Sequence, residues 1–214
     1  QCGVHNQLVP RIGKLWMTEV GIKYNCEWIK ADPINSSEIE DLNYWRNKLY
    51  HQKMIGEDAE GIGYGNISKR FGHAYFIISG ATTGKIENLN STHYTVVTEF
   101  NISTNSLICK GPIIASSESM THGTIYNLNS DIGAVIHIHD IGLWNEHLNK
   151  LPTTNKNVEY GTPAMAREII RLYEESDLKE KKVLIMAGHI SGLVSFGVNL
   201  QEAFETITSL ENNS

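Results

Sequence analysis

Apolar positions fall along the chain in two rhythms. Ile39, Leu42, Trp45 and Leu49 recur three or four residues apart, which predicts a helix. Ser37-x-x-Glu40 can open it as a capping box, and it should end between His51 and Met54, before Gly56. Compact apolar runs predict strands over 74–79, 94–100, 106–109, 134–140, 183–186 and 193–196. A second helix is expected to start at 116–118 and to carry Met120, Ile125, Tyr126 and Leu128. A third covers 163–175 with Pro163 at its first position, and Asn199-x-x-Glu202 caps a last one running to 210. Gly61, Gly63 and Gly65 make a flexible approach to Asn66-Ile67-Ser68, and 80–84 reads as a turn. Residues 1–34 hold short apolar clusters broken by Gly13 and Gly21, so they read as an N-terminal arm or extra strands ahead of one domain, 35–214.

Strands dominate the middle of the chain without strict strand–helix alternation. That pattern favours an α/β sandwich around a mainly antiparallel central sheet over a doubly wound fold. With 214 residues, 41% hydrophobic and 20% charged, the chain can bury one substantial core and is too apolar for disorder. A net charge of -6 without a basic run argues against a nucleic-acid surface. No apolar run reaches the length of a membrane span, and the first ten residues lack the features of a secretory leader, so the cytoplasm is the default compartment. Cys2, Cys26 and Cys109 show neither framework nor metal-pair spacing and read as reduced. The N-x-S/T triplets at Asn35, Asn66, Asn90 and Asn101 read as chance occurrences.

The chemistry concentrates in a few positions. In a strand, His137 and His139 project from one face while Ile136 and Ile138 project from the other. Alone, such a pair is more often an ordinary half-polar strand. His189 follows Gly188 at the end of another apolar strand, and three imidazoles at strand ends can form a zinc site with an open position. Glu118, in Ser116-Ser117-Glu118 at a helix start, is either a helix-terminus charge or a general acid/base. Ser116 and Ser117 can cradle an anion at that terminus, with Asn66 and the Thr82-Thr83-Gly84 turn as further donors. Each of these also has a plain turn or capping explanation.

The ordered string Gly65-Asn66-Ile67-Ser68, Thr83-Gly84, Ser116-Ser117-Glu118 with His122 and Tyr126, then 134–139, Tyr160-Gly161-Thr162, His189 and Asn199-Leu200-x-Glu202-Ala203 resembles the class II aldolase/adducin family over roughly 37–210. The resemblance implies an α/β/α sandwich, usually a homotetramer with sites at subunit interfaces. It implies Zn2+ or another divalent metal on His137, His139 and His189, and Glu118 as catalytic acid/base. Asn66, Thr83, Gly84, Ser116 and Ser117 would hold the phosphate of a small phosphorylated sugar. The expected activity is a lyase working through a metal-stabilised enediolate. Epimerase, dehydratase and decarboxylase chemistry on the same machinery, or a non-catalytic interaction module like the adducin head, stand as alternatives.

Overall fold

The computed structural model describes residues 21–72 and 75–211. Of the N-terminal arm or extra strands expected over 1–34, residues 1–20, with Cys2, lie outside the described residues. In chain order the elements are β1 (Asn25–Lys30), α1 (Glu40–His51), β2 (Gly56–Glu57), β3 (Gly63–Tyr64), β4 (Asn66–Phe71), β5 (Tyr75–Ser79), β6 (Tyr94–Asn101) and β7 (Ser106–Gly111). There follow α2 (Ser119–Leu128), β8 (Ala134–His139), α3 (Ile141–His147), α4 (Pro163–Glu175), α5 (Leu178–Lys181), β9 (Val183–Ile185), β10 (Gly192–Gly197) and α6 (Leu200–Thr208).

Eight of the strands form one sheet in the order β1-β7-β6-β5-β4-β8-β10-β9, and β2 and β3 form a small separate ribbon. Neighbours in the large sheet are antiparallel except β1 and β7. Alternation along each strand divides the interior into two layers of core. Phe76, Ile78, Val97, Val135, Leu184 and Val194 pack with Met120, Ile125, Met165, Ile169 and Leu172 from α2 and α4. Ile77, Val96, Ile136, Ile138, Ile185 and Leu193 pack on the other face with Leu42, Leu49, Leu143, Phe204 and Ile207 from α1, α3 and α6. Helices on both faces of a mainly antiparallel sheet make the expected α/β/α sandwich.

Local chemistry places most boundaries where the sequence puts them. Thr162 caps α4 by accepting from Met165 N–H, with Pro163 in its first turn, and Asn199 Oδ1 accepts from Glu202 N–H at the start of α6. The predicted Ser37-x-x-Glu40 box does not close. Asn35 instead caps a short 3-10 turn, Ser36–Glu38, by accepting from Ser37 N–H, and α1 begins after Ile39 without a side-chain cap. β4 extends the expected approach into a full strand. Its alternation is masked because Asn66 and Ser68, although polar, are buried toward α2 while Ile67 enters the opposite core. α3 buries only Leu143, too little for a periodic signal, although Asp140 caps it through Leu143 N–H. Among the described residues, no helix is long and apolar enough to cross a membrane.

Candidate metal centre and acid/base site

β8 runs between β4 and β10, with His137 opposite Asn66 on one side and Val194 on the other. Its two histidines face the α2/α4 layer. His189 arrives from the turn between β9 and β10, where Ser191 takes a left-handed conformation (φ 64°) that returns the chain into β10. Gly192 pairs with His139 in register, and a Cβ there would fall 2.5 Å from His189 Cδ2, so only glycine leaves room for the ring.

The three rings converge. Ring centroids lie 4.9 Å apart for His137 and His139, 4.7 Å for His139 and His189, and 5.3 Å for His137 and His189. One nitrogen from each lies within 4.8 Å of the others, close to the separation of about 3.3 Å for ligands about 2 Å from one shared ion.

The state of the nitrogens fits a cation. Ser191 Oγ donates to Ile190 O and so accepts from His139 Nδ1–H at 3.0 Å, which leaves a lone pair on His139 Nε2. That Nε2 faces His189 Nε2 at 2.8 Å, a distance at which two lone pairs need a proton or a cation between them. His137 Nε2 is buried without a partner. Burial, with the neighbouring rings, holds His137 well below the ordinary histidine range. Burial likewise lowers His139 to about 4 and His189 to about 3, so the rings are neutral ligands at neutral pH. Asn66 Nδ2 lies 3.4 Å from His137 Nδ1, and its Oδ1 is buried and unpartnered. Turning that amide over would let Oδ1 accept from Nδ1–H and leave Nε2 free for a metal.

Glu118 is the residue just before α2. Its carboxylate makes no capping bond and is 2% exposed. Oε2 accepts from Thr121 Oγ1 at 2.7 Å, and Oε1 has no partner. Burial pushes its pKa up to about 7, against the lowering effects of the Thr121 bond and the Lys23 charge. A buried carboxylic acid with one uncommitted oxygen and a pKa near neutrality is suited to taking and returning a proton.

The 80–84 turn and the serine pair are neighbours among the expected anion donors. Gly80 bridges to Ala115, placing the 80–84 turn beside Ser116. Ser116 is buried, its carbonyl accepting from Tyr24 OH, Ser119 N–H and Ser119 Oγ. Ser117 is partly exposed. Thr83 Oγ1 donates to Gly80 O, so its hydroxyl proton is committed within the turn. Gly84 lies so close to the Tyr64 backbone that a Cβ would collide with Tyr64 O. From behind, the Arg46 guanidinium donates to Gly84 O (2.7 Å), Thr83 O (3.2 Å) and Glu87 O (2.5 Å).

Further residues surround the site, and of these Tyr64 and Ser191 carried no signal in the sequence. Tyr64 stacks on His139, Tyr160 meets His189 edge-on at 4.5 Å, and Ser191 orients His139. Ser68 joins His122 Nδ1 (2.7 Å) and Tyr126 OH (2.8 Å) in a buried cluster below the site. Cys26 and Cys109, distant in sequence, have sulfurs 3.7 Å apart and are free thiols.

Residues 50–144 match the family model described as the class II aldolase and adducin N-terminal domain, a stretch that contains His137 and His139 and ends before His189. Among solved structures, an L-fuculose 1-phosphate aldolase is similar with a TM-score of 0.63 at 19% identity, over 84% of each chain. A sugar-phosphate aldolase from Thermotoga maritima gives 0.61 at 16% identity, over 82% of this chain and 91% of the other. An L-fuculose-1-phosphate aldolase from Thermus thermophilus gives 0.55 at 19% identity, over 83% of this chain and 92% of the other. At these identities the likeness speaks for the fold. No curated protein matches the chain by sequence. The motif string, the family match over 50–144 and the shared sandwich agree, and the chain has the fold of the class II aldolases.

Proposed function

We propose that the chain is a zinc-dependent lyase of the aldolase type acting on a small sugar phosphate. His137, His139 and His189 would hold the metal, and Glu118 would move the proton. The observation that carries this reading is the pairing of three convergent neutral imidazoles with a buried carboxylic acid whose Oε1 is uncommitted. The metal, when bound, supplies Lewis-acid polarisation of substrate oxygens as negative charge develops on them.

The chain's own residues supply the rest. Glu118 takes a proton on Oε1 while Thr121 keeps Oε2 in place. Asn66, the backbone of the Thr83-Gly84 turn, Ser116 and Ser117 bind the phosphate. Arg46, bonded to the turn's carbonyls, fixes the turn with those C=O groups toward the guanidinium, so the N–H groups of the same peptides point away from it. The same set serves epimerisation by retro-aldol cleavage, dehydration or decarboxylation, which product analysis distinguishes. We also infer a homo-oligomer, a tetramer by family resemblance. Ile62, Ile141 and Ile190 are large apolar residues left exposed near Tyr64, His139 and His189 in sequence, as expected of a surface covered by another copy.

The test is metal analysis of purified protein together with turnover on a panel of sugar phosphates. About one divalent ion per chain, lost in His189→Ala, and activity abolished in a folded Glu118→Gln variant are expected. Metal-free protein, or Glu118→Gln with unchanged turnover, would sink the reading.

A further inference from the structure

The segment leading into β1 lies against the candidate site. Asn105 Nδ2 donates to Lys23 O at 2.8 Å, fixing the main chain there. Tyr24 OH donates to Ser116 O at 2.8 Å, directly beneath the serine pair. A Cβ on Gly161 would lie 3.3 Å from Ser117 O and 3.4 Å from Lys23 Cβ, so the Lys23 stem and Ser117 carbonyl approach the same glycine. Lys23 Nζ lies 3.9 Å from the Tyr160 ring centroid, and that ring meets His189. The ammonium thus stands at the corner where Ser117, Tyr160 and His189 come together.

Its present partner holds it weakly. Glu159 Oε2 is 3.0 Å from Lys23 Nζ, but the Glu159 side chain is 72% exposed, and an exposed ion pair is easily exchanged. The positive charge of Lys23 acts on both sides of the site, lowering the pKa of Glu118 and of His189, in each case less than burial shifts it.

We propose that Lys23 binds the anionic group of the substrate, leaving Glu159 to do so, and thereby selects for a phosphate or carboxylate placed beside Ser116 and Ser117. The inference rests on the proposed lyase reading and deepens it. A point charge on a flexible stem suits this role, since it can follow the anion without a fixed bidentate geometry.

The test is calorimetric titration of the purified protein, metal content measured, with inorganic phosphate and separately with glycolate. Lys23→Met, Lys23→Arg and Glu159→Gln are compared with wild type, and unchanged melting temperatures confirm folding. Phosphate binding should weaken about tenfold in Lys23→Met, persist within about twofold in Lys23→Arg, and hold or tighten in Glu159→Gln. Equal phosphate affinity in wild type and Lys23→Met overturns the proposal and leaves the lyase reading untouched. Loss confined to glycolate, with no phosphate binding by wild type, upholds Lys23 and removes the sugar phosphate. A protein that holds no metal but loses anion binding in Lys23→Met upholds Lys23 and removes the lyase. No binding of either anion by wild type overturns the proposal.

Discussion

Tyr64 lies nearly parallel to the ring of His139, with centroids 5.1 Å apart and planes at 24°. Its hydroxyl donates to Lys53 O, so the β2–β3 ribbon braces a candidate ligand contributed by the large sheet. Groups that orient a metal ligand typically contribute about 10–100-fold to affinity. Tyr64→Ala should lower zinc affinity about tenfold, while Tyr64→Phe, which keeps the stack, should stay close to wild type. Competition with a chromogenic chelator reads the difference, and equal affinities in all three proteins would show that the stack does not hold the ring.

Glu118 should give the proposed reaction its pH dependence. Burial raises its folded pKa to about 7 from 4.5. If it acts as a base, kcat/KM in metal-loaded protein should rise with pH and level off, and Glu118→Gln should lose that limb together with about 100-fold or more of the rate. A cation on the histidines pulls a nearby carboxylic acid down, so metal removal should move the Glu118 titration upward toward 7. Carboxyl carbon NMR of Glu118, with and without zinc, measures this directly.

The buried histidines make the metal-free protein sensitive to acid. Burial lowers His122 to about 3, His139 to about 4 and His189 to about 3, against 6.5 for an ordinary ring. The unfolded chain therefore binds protons first as pH falls. The stabilising contribution is complete above about 6.5 and is lost progressively as the pH drops through the folded values. Urea midpoints of zinc-free protein should fall from about pH 7 to about pH 5, by up to about 1.4 kcal/mol per pH unit for each ring. A flat profile over that range would mean that the rings are not held neutral.

Arg46 is 1% exposed, and its guanidinium nitrogens donate to the carbonyls of Thr83, Gly84 and Glu87. Arg46→Met would strand buried acceptors and should cost about 2–5 kcal/mol. Arg46→Lys, unable to span all three, should fold more stably than Arg46→Met yet bind phosphate less well than wild type. Denaturation midpoints and phosphate titration separate the two effects.

The sandwich and its ligand strand were legible in the chain because both depend on alternation. Val135 and His137 face one layer, and Ile136 and Ile138 face the other, as a period of two requires. α4 was legible because its cap, its proline and its apolar stripe agree. β4 was harder to read, since Asn66 and Ser68 are polar residues spent inside the protein on His137, His122 and Tyr126. The contributions of Lys23, Tyr64, Ser191 and Arg46 could not be read locally. Each acts on a residue brought to it only by folding, and a lysine before a strand or an arginine in a helix looks the same whether or not it has such a neighbour.

Strand β8 also makes the histidine corner intolerant of sliding. It is bonded along both flanks, with His137 locked opposite Asn66 and Val194 and His139 opposite Gly192. A slip of one residue would put two sec-butyl groups where the imidazoles stand and drive two basic rings into an aliphatic layer. No partial version of that error exists. The spacing of the two histidines is therefore inherited from the ladder itself, and the surrounding loops are free to diverge without disturbing it.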